Sequence, residues 1–326
     1  MEVIDKTGLG SVFVLGAEDR LVAVVTDGDV RRALLAGNGL ESPAHSAFNS
    51  EFLALVDGSD SGPVFREARR AGFTFIPVVD QQKHLVSVEV MSASEKKVVR
   101  ENPVVVMAGG KGSRLGSLTR HTPKPLIMIN GKPMLEAIVE KVRDDGFSTI
   151  YLAIHYLGDQ IEEHFGDGSR FGVNVMYLRE ASPLGTAGAL SLLPKDSDMP
   201  VVVLNGDLIL GASIAKMVDH HLENGADLTV GGKVFETTIP YGVLSVTGDV
   251  VTEIVEKPTY RDLVNAGVYV MSRAVVAGIV PDRVTEMPEI VSASIAAGKA
   301  RVYAIHEEWA DLGSPAALKT FQRETL

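Results

Sequence analysis

The chain has 326 residues, 45% hydrophobic and 22% charged, which is enough apolar material for a large core and predicts two domains. A formal net charge of −11 with no clustered Lys/Arg face excludes a general nucleic-acid binder and leaves small phosphorylated ligands open. With no cysteine there is no disulfide framework, thiolate nucleophile or thiolate metal site.

The first residues, MEVIDKTGLG, are acidic where a secretory leader is basic and then apolar. No run of about 18 apolar residues follows, so a cytoplasmic protein without membrane contact is expected. The stretch VFVLGAEDRLVAVV from Val12 aligns without gaps on IPVVDQQKHLVSVE from Ile76. Each copy reads as an apolar strand, a polar turn and a second apolar strand, so two small units are predicted to pack on each other. The polar stretch SASEKKVVREN at 92–102 marks a seam. It divides the chain into a smaller α+β unit over 1–95, a linker over 96–101 and a larger domain over 102–326.

In the larger domain the apolar runs PVVVMA, TIYLAIHY, VNVMYL and PVVVLNGD alternate with helical patterns. In KPMLEAIVEKVRDDG, Leu135, Ile138, Val139 and Val142 share one face at the 3.6-residue period, and Gly146 suits the stop. An α/β domain with a mixed, mainly parallel, Rossmann-like sheet follows, and its ligands are expected outside the carboxyl ends of the strands. One such end carries AGGKGSRL. Gly109, Gly110 and Gly112 allow positive φ and close backbone approach, so that successive N–H groups face an anion. Glycines alone would equally describe a tight turn. Arg114 and Lys124, a guanidinium fork and an ammonium near one loop, point to a polyphosphate. Asp207 follows the strand VVVLN, where a carboxylate holds Mg²⁺ or merely caps a turn. Asp311 precedes Ser314 and Pro315, an N-cap and first helical position. His220 and His221 fall in a helical pattern and are expected on the surface, with no partner ligand at metal spacing.

These motifs resemble the sugar-1-phosphate nucleotidyltransferases, whose signature A-G-G-x-G-[ST]-R-L and then P-K-P matches Ala108 to Leu115 and Pro123 to Pro125. The resemblance covers residues 102–326. It continues in the family's order with ASPLGTAGAL at 181–190, NGDLI at 205–209, PYGVL at 240–244, VEKP at 255–258, NAGVYVM at 265–271 and WADLGSP at 309–315. Ser117 departs from the pattern, where many members carry proline; this concerns loop stiffness.

The resemblance implies the nucleotidyltransferase fold, an NTP and a sugar 1-phosphate as substrates, and Mg²⁺ held by Asp207 and Asp311. It gives catalysis to Arg114, Lys124 and Asp207. The nucleotide falls to Ala108, Gly109, Gly110, Gly112, Ser113, Gly185, Thr186 and Gly188. The sugar phosphate falls to Gly242, Glu256, Lys257 and Asn265, although Glu256 and Lys257 in isolation would read as a solvated strand end. The wording of MAGGKGSR and PLGTAGA looks most like guanylyltransferases, including those joined to CBS pairs that act on glucosamine 1-phosphate. A uridylyltransferase for a hexose or amino-sugar phosphate, and a non-catalytic nucleotide sensor, are the alternatives. A homo-oligomer is expected.

The N-terminal unit resembles a pair of cystathionine-β-synthase-type (CBS) motifs on the residues VVTDGDVRRAL, with Thr26 and Asp29 at the family's phosphate and ribose positions. A regulatory nucleotide is therefore expected there. The aligned positions of the second copy are Val90 and Ala93, so the site belongs to the first copy. A packing module without a ligand is the other reading.

Overall fold

The computed structural model describes residues 4, 10–39, 41–70, 73, 75–90 and 99–324. The chain divides into two compact units, Met1–Lys97 and Val98–Leu326. No described helix is long and apolar enough to cross a membrane.

In the first unit, β1 (Ser11–Leu15) and β2 (Leu21–Thr26) form an antiparallel hairpin, and β4 (Phe75–Val79) and β5 (Leu85–Val90) form another. The register slips at the same place in both, between Val14 and Leu15 in the first and between Val78 and Val79 in the second. A bulge retained at an equivalent position shows that the internal repeat is one of backbone geometry and not of apolar pattern alone. Arg20 and His84, equivalent turn residues, bridge the two copies. Helix α1 (Asp27–Leu35) follows β2, β3 (Leu55–Val56) runs parallel to β4, and α2 (Ser61–Arg70) lies between β3 and β4 in the chain. Leu55, Ala68, Ile76 and Val78 make the small core.

The second unit is built on seven strands: β6 (Val104–Met107), β9 (Thr149–Ile154), β10 (Asn174–Arg179), β11 (Val201–Asn205), β13 (Leu228–Thr238), β16 (Thr259–Met271) and β17 (Ala300–Ile305). Their order is β10-β9-β6-β11-β16-β13-β17. The first four are parallel, β16 runs antiparallel to both its neighbours, and β17 is parallel to β13. The expectation of a mixed, mainly parallel sheet is met. Because side chains alternate across a strand, Val104 and Val106 enter one core while Val105 enters the other.

Helix α3 (Met134–Asp144) buries Leu135, Ile138, Val139 and Val142, the predicted face, against the first core. Gly146 ends it at φ +96. Helices α4 (Gly158–Phe165) and α5 (Ile214–Glu223) join the same layer through Ile161, Phe165, Ile214, Met217 and Val218. His221 corrects the expectation of a surface residue. It continues the row 214, 217, 218 on the helix, is 2% exposed, and sets Nδ1 3.0 Å from Thr229 Oγ1. Burial pushes its imidazole pKa down, which favours the neutral ring that this packing requires.

Candidate active site

Four parallel strands end on one side of the sheet, at Met107, Ile154, Arg179 and Asn205, and the loops after three of them enclose a cleft of about 500 Å³. Its lining includes Ala108, Gly109, Gly110, Gly112, Ser113, Arg114, Lys124, Gly185, Thr186, Asp207 and Asp311. Eleven positions singled out in the sequence, drawn from five separate stretches, therefore share one cavity. A smaller cavity of about 100 Å³ beside Ile138, Leu204 and Leu210 is apolar and carries no carboxylate.

The glycine loop divides its two uses of glycine between different positions. Of the two uses that Gly109, Gly110 and Gly112 allow, positive φ occurs at Gly112 among the three, at φ +61. A Cβ there would also meet Thr119 Cγ2 at 2.8 Å and Lys124 Cβ at 2.9 Å, so this glycine brings the Lys124 stretch against the loop. Gly109 has the second reason for glycine, close approach: a Cβ would lie 3.1 Å from Glu180 Oε1 and 3.3 Å from the His155 backbone nitrogen. Gly110 faces open space. Arg114 is exposed and makes no hydrogen bond or ion pair among the described residues, so its five donors are available to an anion.

Asp207 and Asp311 are brought together by pairing rather than by proximity in the chain. Strand β12 (Leu208–Leu210) runs antiparallel to β18 (Trp309–Asp311) with Leu208 opposite Asp311, and the Leu312 N–H donates to the Asp207 carbonyl at 2.9 Å. Helix α8 (Pro315–Glu324) begins just beyond, with Ser314 Oγ accepting from the Ala317 N–H. The Cβ position of Gly313 lies 2.8 Å from Asp311 Oδ1, 3.3 Å from Asp207 Oδ2 and 3.3 Å from Lys124 Nζ. Lys124 Nζ donates to Asp207 Oδ2. Two carboxylates converging on one point of a half-buried cleft form a donor set that fits a hard divalent cation such as Mg²⁺, with phosphate oxygens and water filling the remaining positions.

The loop carrying Gly185 and Thr186 is tied to α7 (Met287–Ala296). Thr186 Oγ1 donates to Glu286 Oε2 at 2.7 Å and accepts from the Met287 N–H at 2.7 Å. Gly188 does not line the cleft. It is buried, and a Cβ would meet Leu184 Cβ at 2.8 Å and the Arg283 carbonyl at 2.9 Å, so its place here is packing. Gly242, Glu256, Lys257 and Asn265 lie outside the lining too. Gly242 and Glu256 face each other on the hairpin of β14 (Gly242–Thr247) and β15 (Val250–Glu256), and Lys257 follows it at φ +47. Asn265 donates to Tyr269 Oη at 2.7 Å and accepts from the Gly267 N–H at 3.0 Å.

The sequence reading missed Glu180. It stands directly after β10, half-buried in the cleft; Oε2 accepts the Leu184 N–H at 2.9 Å and Oε1 lies over Gly109. Burial raises its pKa, with the Leu184 N–H and the neighbouring His155 opposing the rise. The signal available in sequence was an acid at the carboxyl end of a parallel strand, five residues before Gly185.

In the first unit, a cleft of about 280 Å³ is lined by Thr26 together with Val24, Phe52, Phe73, Ile76 and Pro77. Asp29 is not in that lining. It is 8% exposed, its Oδ2 accepts from the Thr26 N–H and Oγ1, and its Oδ1 accepts from Arg32, in a capping box that starts α1. Val90 ends β5 in solvent, at 65% exposure, and Ala93 lies outside the described residues.

The family model described as "Nucleotidyl transferase" matches residues 103–326. A mannose-1-phosphate guanylyltransferase of Mycobacterium tuberculosis is 34% identical over 220 residues, 65% of this chain and 61% of that protein. A UTP–glucose-1-phosphate uridylyltransferase of Synechocystis is 30% identical over 239 residues, 64% of this chain and 59% of that protein. Among solved structures, HddC of Yersinia pseudotuberculosis complexed with GMP-PN aligns with a TM-score of 0.53 and 25% identity, covering 69% of this chain and 100% of that one. The chain thus spans about three fifths of the length of the curated relatives it matches. Over its second unit, by the glycine loop, the paired carboxylates and a match to more than half of its length, the chain belongs to the nucleotidyl transferase family.

Proposed function

We propose that the chain transfers a guanylyl group from GTP to a sugar 1-phosphate, giving a GDP-sugar and pyrophosphate. The observation that carries this reading is the single cleft that gathers the glycine loop, Arg114, Lys124, Asp207 and Asp311 at the carboxyl edge of the sheet. A sugar phosphate is largely dianionic at neutral pH, so its oxygen attacks the α-phosphorus without a general base. A new P–O bond forms as the bond to the departing pyrophosphate breaks. Arg114, Lys124 and the loop amides hold the polyphosphate in line and stabilise the charge that develops on it. Asp207 and Asp311 would hold Mg²⁺, which would supply further charge neutralisation for the polyphosphate.

Guanine is favoured by Glu180. An ionised carboxylate only accepts hydrogen bonds, and guanine alone among the common bases offers two adjacent donors, N1–H and N2–H, on one edge. Uracil offers one N–H between two carbonyls, and adenine sets an acceptor beside its amino group. The GMP-PN held by HddC supports the same choice. The sugar would enter from the side of the β14–β15 hairpin, where Glu256 can accept from sugar hydroxyls and Lys257 can meet the phosphate. Pyrophosphate release measured with GTP, UTP, ATP and dTTP against glucosamine, mannose and glucose 1-phosphates tests the proposal. The expected result is turnover confined to GTP. Preference for UTP would transfer the reading to the uridylyltransferase class, and inertness with every pair would leave a nucleotide sensor.

For the first unit we propose a regulatory nucleotide whose base and ribose enter the Thr26 cleft, in keeping with its resemblance to a CBS pair and with the aromatic lining of Phe52 and Phe73. Asp29 contributes there by fixing Thr26 rather than by touching the ligand. Calorimetric titration of the full chain with AMP, ATP and GTP, in the presence and absence of the sugar phosphate, is expected to show binding that Thr26→Val weakens. Linkage requires any effect on substrate affinity to be reciprocal. If Thr26→Val binds as the parent does, the ligand lies elsewhere.

A further inference from the structure

Lys124 is expected to serve the polyphosphate, yet the structure places its ammonium on Asp207, within reach of the same point on which Asp311 converges. The side chains of Lys124 and Asp207 are only 15% and 20% exposed, so solvent screens their interaction weakly. The cleft also holds a second cation, Arg114, with no ion pair among the described residues; of the two carboxylates, Asp207 is paired with Lys124, and Asp311 Oδ1 accepts the Gly313 N–H at 2.7 Å.

We propose that Lys124 is a resident counter-ion in the divalent-cation seat, and that it must leave Asp207 before the metal can bind. The inference rests on the nucleotidyl transfer reading above. An ammonium and a divalent cation cannot share the largely buried Asp207 carboxylate without strong like-charge repulsion. When metal arrives alone, Lys124 is displaced toward solvent with no new anion to meet. When a triphosphate arrives with the metal, Lys124 exchanges Asp207 for phosphate oxygens, and its charge then assists binding. Beyond any direct contact between metal and phosphate, the two ligands are therefore also coupled through this side chain, and that share of the coupling is positive and reciprocal. Gly112 makes the exchange geometrically short, because its missing Cβ already lets the Lys124 backbone pack against the phosphate loop. A lysine that merely braced Asp207, with the metal seated elsewhere, would leave metal affinity in the absence of nucleotide indifferent to its removal.

The test uses the full chain with Mn²⁺ as the metal probe, free Mn²⁺ being read by electron paramagnetic resonance. Fluorescence of Trp309, the only tryptophan and two residues from Asp311, gives a second readout. The parent is expected to bind Mn²⁺ weakly, and about tenfold or more tightly once a non-hydrolysable GTP analogue is added. Lys124→Met is expected to bind Mn²⁺ alone about tenfold more tightly than the parent and to show a correspondingly smaller gain from nucleotide. Lys124→Gln, which keeps a polar side chain of similar reach, should behave the same way and guards against a folding defect in the first variant. A protein whose nucleotide and Mn²⁺ binding are both robust, but whose Mn²⁺ affinity is indifferent to position 124, overturns the counter-ion. A protein that gains Mn²⁺ affinity on losing Lys124 but never binds nucleotide supports the counter-ion and removes the transferase reading beneath it.

Discussion

Asp207→Asn is expected to lower turnover on the order of a hundredfold while leaving the thermal midpoint close to that of the parent. The substitution preserves volume and removes one of the two carboxylates that converge beside Gly313. The fold has little stake in that carboxylate. The tie between β12 and the loop after β18 runs through the Asp207 carbonyl, which accepts the Leu312 N–H, and asparagine keeps that carbonyl. Asparagine can still accept a hydrogen bond from Lys124, so the pair loses charge without losing contact. The loss should be partly relieved at high Mg²⁺, because the remaining Asp311 still offers a ligand oxygen. Steady-state rates across a Mg²⁺ titration measure this directly. Parent-like turnover at limiting Mg²⁺ would remove Asp207 from the metal site and return it to the role of a turn residue.

The parts of this site that are legible in the sequence are those whose chemistry and position come from one short stretch. A glycine-rich turn after a strand of three valines and a methionine, an aspartate just past VVVLN and an aspartate just before a Ser-Pro helix start each carry their own strand-end context. The α3 face is legible for the same reason, since burial at Leu135, Ile138, Val139 and Val142 follows from helical period alone. What the sequence does not carry is which strand ends become neighbours. The order β10-β9-β6-β11 is not the chain order, and it is this order that sets Glu180, after β10, over Gly109, after β6. Glycines show the same limit at smaller scale: Gly112 is needed for its left-handed φ and Gly109 for the carboxylate above it, and the two needs look identical as letters. Lys124 on Asp207 is a contact between side chains 83 positions apart, and no local pattern announces it. The sugar positions follow motif order, and the structure sets Gly242 and Glu256 on the β14–β15 hairpin, Lys257 just after it and Asn265 on β16, all outside the cleft lining.

Glu180→Gln is expected to move base preference, lowering kcat/KM for GTP by about ten- to a hundredfold while raising the relative use of UTP. The argument is one of donors and acceptors at a single carboxylate. As glutamate, the side chain presents two acceptor oxygens, one engaged by the Leu184 N–H and the other over Gly109. As glutamine it keeps one oxygen for Leu184, so the loop from 181 to 187 stays anchored, and it turns an amino group toward the base. That amino group opposes the N1–H and N2–H donors of guanine and suits a carbonyl of uracil. Losing a bidentate contact and gaining an unpaired donor pair costs roughly 1–3 kcal/mol, which is the range just given. The protonation behaviour supplies an independent check. Because burial raises the Glu180 pKa, the carboxylate is neutralised at a higher pH than an ordinary glutamate as the solution is acidified. GTP affinity of the parent should therefore fall on the acid side beginning above the usual carboxylate range, and the fall attributable to this group should vanish in Glu180→Gln. Competition binding of GTP and UTP across that range, in both proteins, reads preference and titration together. If Glu180→Gln lowers affinity for both nucleotides equally and leaves the acid limb in place, Glu180 is a loop anchor and the base is read by other groups.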